Sequence, residues 1–192
     1  MTITHLQPRM LAAVLVAAAL TACGGSTVSN ISLGGSVSGL SVDGLVLSDG
    51  LGSVSIAANA TSFTFPSRVN VGYGYTVTVQ TQPAGLTCSV ANASGTTGTS
   101  DIATVQVTCV PNHSLGGSIT GLTAGGLVLA NGSDTVSPAA NATSFVFPAR
   151  IGENAAYGVT VLAQPAGQNC TVVNGSGYMG TADLTGVQVN CT

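Results

Sequence analysis

The sequence has no lysine and no tryptophan, and Arg9, Arg68 and Arg150 carry all of its permanent positive charge. Nucleic-acid binding needs clustered basic side chains against phosphate, so three scattered arginines and a net charge of -3 exclude it. Charged residues make up 5% of the chain, against roughly 25% in soluble domains. The surface must therefore be carried by Ser, Thr, Asn, Gln and Gly rather than by ion pairs. Helix-favouring Glu, Lys and Arg are scarce while Val, Thr and Gly abound, which marks an all-β chain.

The titratable inventory is equally thin. Nucleophilic catalysis needs a base beside the nucleophile. Beyond His5 in the leader the one histidine is His113, in a connecting segment where a solvated role is expected, and no Gly-x-Ser-x-Gly elbow occurs. The acids Asp43, Asp49, Asp101, Asp134, Glu153 and Asp183 are dispersed. Asp101 and Asp183 occupy matching places in a duplicated chain, as do Arg68 and Arg150. An Arg–Asp pair in each half is the expectation, not a catalytic carboxylate pair. Asp43-Gly44 and Asp49-Gly50 read as turns rather than calcium ligands. No Cys-x-x-Cys is present to hold zinc. The expectation is a non-enzymatic protein with no metal and no cofactor.

What is present is a duplication. Leu33 to Cys109 recurs as Leu115 to Cys191 at a fixed offset of 82 residues, which also carries Cys88 to Cys170. Roughly half the positions are identical, without insertions. A period longer than the roughly 20–50 residues of solenoid repeats makes each copy a small domain. The expected layout is two tandem seven-stranded β-sandwich domains, 33–109 and 115–192, joined by a linker at 110–114 whose Pro111 limits motion without freezing it.

Residues 1–22 read as a signal peptide. Arg9 precedes a ten-residue apolar run, Leu11 to Leu20, too short for the ~20 residues of a spanning helix. The run ends in Leu20-Thr21-Ala22-Cys23, followed by Gly24-Gly25, which resembles the lipobox of bacterial lipoproteins. That resemblance implies lipidation of Cys23. Cysteine arithmetic agrees, since five cysteines leave one over after two bridges. Several acyl chains, as the family carries, anchor far more firmly than one. Gly24 stands where family members retained at the inner membrane have aspartate. The resemblance thus implies a lipid-anchored cell-envelope location, at the outer membrane in a Gram-negative source. Residues 23–32 form a lipidated tether, Gly/Ser/Asn-rich from Gly24, with a reach of about 15–20 Å.

Within the first copy, short alternating runs are separated by Gly, Asn and Asp, the spacing of a sandwich. Strands are expected near Leu33–Ser38, Gly44–Ser48, with Leu45 and Leu47 inward, and Ser53–Ala57. A fourth carries Phe63 and Phe65 into the core, and a fifth alternates Tyr75, Val77 and Val79 up to the Gln82-Pro83-Ala84-Gly85 turn. The last two form a hairpin. If Cys88 faces Cys109, Val90 faces Val107 and Asn92 faces Val105, with residues 92–101 as the loop at its tip. Cys170 and Cys191 follow the same register. Each bridge, Cys88–Cys109 and Cys170–Cys191, contributes about 3 kcal/mol by the chain-entropy model. Pairings across the copies, such as Cys88–Cys191, require the hairpins to lie side by side, which a short linker disfavours.

Phe-x-Phe followed by Tyr-x-Val-x-Val resembles the second half of prealbumin-like sandwiches. These include carboxypeptidase-regulatory-like and collagen-adhesin B-type repeats of bacterial surface proteins. Gln-Pro-x-Gly-x-x-Cys with a terminal Val-x-Cys is also similar to low-charge tandem repeats of bacterial lipoproteins, along nearly all of 33–191. Adhesin repeats often carry a Lys–Asn isopeptide crosslink; without lysine, the disulfide takes its place.

Few aromatics remain for a surface. Phe63, Phe65, Phe145 and Phe147 are core positions, and Tyr75 and Tyr157 core with hydroxyls at the rim. Tyr73 has Ala155 as its counterpart. Tyr178-Met179 stands at a loop tip where the first copy has Thr96-Thr97, and is the expected contact pair for a protein or glycan ligand. The functional expectation is an adhesin-like interaction module on a lipid anchor, and the alternative is a structural spacer without a specific ligand.

Overall fold

The computed structural model describes residues 30–192. The expected signal segment, the lipidation expected at Cys23 and the expected tether up to Ser29 lie outside the described residues. Every regular element described is a β-strand, so the chain is all-β.

In the first half, Leu33–Ser38 pairs antiparallel with Ser62–Thr64 on one edge and parallel with Ile102–His113 on the other. Leu86–Ala91 completes this sheet on the far side of Ile102–His113. A second sheet joins Ser53–Ile56, Leu45–Ser48 and Thr78–Thr81. Gly74–Thr76 pairs separately with Ser94–Thr96. The second half repeats the plan. One of its sheets runs Ser144–Val146, Leu115–Thr120, Leu184–Cys191, Cys170–Val173, and the other Asp134–Val136, Val128–Asn131, Ala156–Ala163, Ser176–Tyr178.

Alternation explains the interior. Leu45 and Leu47 are fully buried, two apart on one strand. They share a core with Leu33, Val37 and Val107 from the other sheet. Phe63 and Phe65 meet edge to face at 5.7 Å, and Phe145 and Phe147 at 5.8 Å. Two separate cores result, one drawn from residues 31–109 and the other from 115–191. The shared Leu-Gly-Gly-Ser has a backbone cause. A Cβ on Gly35 would collide with the Val105 carbonyl, and one on Gly117 with that of Val187, where the parallel ladder is irregular.

Several expectations need correction. The loop at residues 92–101 is not a free tip, because Ser94–Thr96 forms a further strand lying on Gly74–Thr76. Asn92 does not face Val105: it turns the chain at φ 52°, its Nδ2 donating to the Thr104 carbonyl at 3.1 Å. The fifth strand is broken at Val77, whose N–H bonds Ala93, although its counterpart Ala156–Ala163 is continuous.

Residues 110–114 are not a separate linker. The strand Ile102–His113 takes in residues 110–113 and breaks only at Ser114, and Asn112 and His113 pair with Gly152 and Ile151 of the second half. Pro111 fits because its carbonyl is the group in use, accepting from the Glu153 N–H at 2.9 Å. Asn30–Ile31 pairs with Val69–Asn70 in the corresponding way, so the structural unit includes the residues just before Leu33. Ile31 is buried in the first core, and His113 occupies its place in the second half.

Candidate functional site

Both disulfides form as the register requires, Cys88–Cys109 and Cys170–Cys191. A second device holds each hairpin. Gln82 accepts from the Cys88 N–H at 2.7 Å and donates to the Cys88 carbonyl at 2.9 Å. Gln164 does the same for Cys170, at 2.7 and 3.0 Å. The glutamine of the Gln-Pro-Ala-Gly turn is a side-chain clasp on the bridge, which its reading as a turn alone did not disclose.

Tyr178 and Met179 are not a surface pair. Tyr178 is 75% exposed, whereas Met179 is 1% exposed and belongs to the second core. Met179 follows directly on the strand Ser176–Tyr178, its N–H donating to the Ala155 carbonyl at 2.9 Å, so the alternation carries on by one residue and Tyr outward places Met inward. Thr97 holds the matching position in the first half and is also buried. Its hydroxyl accepts from the Tyr73 N–H at 2.9 Å and donates to the Asn70 carbonyl at 2.6 Å. The loop from Asn70 to Tyr73 is thereby tied down, and the Tyr73 ring is left 63% exposed.

Tyr73 stands over a cleft of about 510 Å³ lined by the Asp49–Leu51 turn, Arg68–Asn70 and Tyr73–Thr76. Asp49 is 8% exposed. Its Oδ1 accepts from the N–H groups of Leu51 and Gly52, at 2.9 and 2.7 Å, and its Oδ2 is buried with no hydrogen-bond partner among the described residues. Leu51, exposed in spite of its size, stands on the rim. Two more open clefts, of about 470 and 410 Å³, lie over Gly34–Gly35 and beside Val37–Ser41. Their one charged lining residue is Asp101, whose carboxylate already accepts from the Ser32 N–H at 2.7 Å.

The expected Arg–Asp pair exists in one half only. Arg150 donates from Nη2 to Asp183 at 3.0 Å and from Nε to the Asn112 carbonyl at 3.2 Å. Arg68 bonds the Asn30 carbonyl at 3.3 Å but forms no ion pair among the described residues. The arginine that is ion-paired in the second half has no carboxylate partner among the described residues in the first, where it lines the cleft. The Ser114 N–H, at 2.8 Å, and the Ser114 hydroxyl hold the Asp183 carboxyl below the ordinary aspartate range; Arg150 and His113 add to this, against desolvation. His113 is not the solvated residue expected. Its side chain is 14% exposed, Nδ1 lies 3.9 Å from Asp183, and Nε2 is buried without a partner among the described residues.

The two Asp-Gly turns divide as well. Asp49 closes its own turn, while Asp43 reaches across to the Ala58 N–H at 2.7 Å. Among the described residues no three His, Cys, Asp or Glu side chains converge as metal ligands would.

Sequence reading singled out Tyr73 but missed its convergence with Asp49, Leu51 and Arg68. The signal lay in the comparison of the halves. Asp49, Leu51 and Tyr73 have Asn131, Ser133 and Ala155 as their counterparts in the second half, and the fold gathers these three differences around one cleft. No protein-family model matches the chain, and no curated protein is similar to it.

Proposed function

We propose that this chain is a non-enzymatic, lipid-anchored interaction module of the adhesin-like kind. A signal peptide at 1–22 delivers it to the cell envelope, and Cys23 carries the lipid. Two β-sandwich domains, each stapled by its disulfide, then stand off the membrane on the tether. The cleft under Tyr73 is the contact surface, and the exposed ring of Tyr178 is a second, smaller one. The observation that carries this reading is the cleft itself. It combines an exposed aromatic, an exposed leucine, and, among the described residues, a guanidinium with no ion pair and a buried carboxylate oxygen lacking a donor, all in one half of a duplicated chain. Such mixtures of apolar walls and a few polar groups are typical of ligand sites, and divergence on a rim adds a contact without disturbing a core.

The spacer reading keeps one specific observation in its favour. A strand shared by both halves, pairing with each, is a stiff joint of the kind an extended stalk needs. The two readings part on binding. Pull-down from envelope and matrix extracts, together with a glycan array, is to be run with the full chain beside Leu51→Ser/Tyr73→Ala and Tyr178→Ser variants. The module reading expects capture that the cleft double variant loses and Tyr178→Ser weakens at most slightly. Absence of any partner for the wild type would leave the spacer reading in place.

A further inference from the structure

We infer that the cleft of the first half binds an acidic saccharide, with a uronic acid carboxylate on Arg68 and the sugar ring on Tyr73. The inference rests on the interaction-module reading and names the ligand class of that same site. Three features converge on it.

Arg68 offers a planar set of N–H donors of which one is engaged, by the Asn30 carbonyl. It has no carboxylate partner among the described residues, whereas Arg150 in the matching position has Asp183. A guanidinium edge left in this state is a site for a carboxylate, which it meets in two parallel charge-assisted bonds. Asp49 is in the cleft wall, and its Oδ2, which can only accept, is buried without a donor among the described residues; a ligand hydroxyl satisfies it once the exposed Gly50–Leu51 turn shifts to admit it. Tyr73 presents an exposed ring to the same space, a platform for the C–H face of a pyranose. A volume of about 510 Å³ falls within the ~300–1,000 Å³ of small-ligand pockets.

A rigid ring bearing both hydroxyls and one carboxylate answers all three features at once. An acidic peptide satisfies Arg68, but it has no dense set of hydroxyl donors and no flat C–H face for the Tyr73 ring. A neutral sugar leaves the Arg68 charge unpaired. The second half lacks the site, because Asn131, Ser133 and Ala155 replace Asp49, Leu51 and Tyr73, and Asn131 Oδ1 is already occupied by the Gly158 N–H at 2.8 Å.

The test is calorimetric titration of the detergent-solubilised full chain with trigalacturonic acid, its methyl ester and tri-aspartate. Wild type should bind the acid at least tenfold more tightly than the ester, and tri-aspartate weakly or not at all. Arg68→Gln should lower affinity for the acid at least tenfold and erase the preference over the ester. Tyr73→Ala should weaken both sugars by a similar factor. Arg150→Gln, a cation outside the cleft, should leave affinity unchanged. Arg68 and Tyr73 are exposed, and unchanged melting temperatures will confirm that their variants are folded. Equal binding of acid and ester, indifference to Arg68→Gln, or tri-aspartate binding as tightly as the sugar would each overturn the assignment. If no sugar binds while the wild type still captures a partner through the cleft, the ligand class is wrong and the module reading stands. If nothing binds in either assay, both fail.

Discussion

Asp183 ties the start of the second half to its final strand, and its protonation should be visible in the stability of the chain. Its carboxyl is held below the ordinary aspartate range by the Ser114 N–H and hydroxyl first, with Arg150 and His113 assisting. A depressed folded value means that the stabilisation is present above the unfolded aspartate value, near pH 4, and is lost as pH falls through the folded one. Wild type should therefore lose stability between about pH 4 and pH 2 by more than Asp183→Asn does, as urea midpoints across that range will show. Equal acid slopes would remove Asp183 from the account. Met179 gives a second prediction at this scale. Met179→Thr, which installs the residue found at position 97, should cost about 2 kcal/mol, because a filled core site is emptied while the loop at 152–155 has not been built to use the hydroxyl. Tyr178→Ser should stay within about 0.5 kcal/mol. Urea unfolding separates the two. The adjacency of Tyr178 and Met179 held the clue to their opposite fates, but it was legible only once the segment was known to be a strand.

Among the elements, those pinned by covalent or periodic constraints were legible and those chosen by tertiary pairing were not. Leu33–Ser38 was located from its alternation, and the ladder through Cys88 and Cys109 follows from placing the two cysteines opposite each other. The parallel pairing of the first and last strands of each half was not legible, because alternation names the inward face and not the neighbour. Nor was the continuation of Ile102–His113 into the second half, since Pro111 and a short polar stretch resemble a linker in composition. His113 shows the consequence. It sits where Ile31 packs into the first core, with Nε2 buried and lacking a partner among the described residues. His113→Ile should therefore stabilise the chain by about 1–3 kcal/mol, by removing an unsatisfied polar group and filling an apolar site. Thermal melting of the variant measures it. A fall in melting temperature would mean that the contact with Asp183 outweighs that burial.

At the scale of the whole molecule, the duplication and the all-β class were legible from the repeat and the composition, and two separate cores accompany them. The cleft was not legible, since its lining residues are spread from Asp49 to Thr76 and meet only through the fold. Anchorage is tested apart from folding. Cys23→Ser should move the protein from the membrane to the soluble envelope fraction and abolish incorporation of labelled palmitate, with both disulfides intact on peptide mapping. Wild type that fractionates as soluble and unlabelled would remove the lipid from the proposal. The central claim is that the two halves have diverged in role, and that the first makes the contact. Photocrosslinking in intact cells of the source tests it most directly, with a benzophenone amino acid placed at position 73 or at its counterpart, 155. The account predicts a discrete crosslinked partner from position 73 and none from position 155. Crosslinks of equal yield from both positions, or none from position 73, would contradict it.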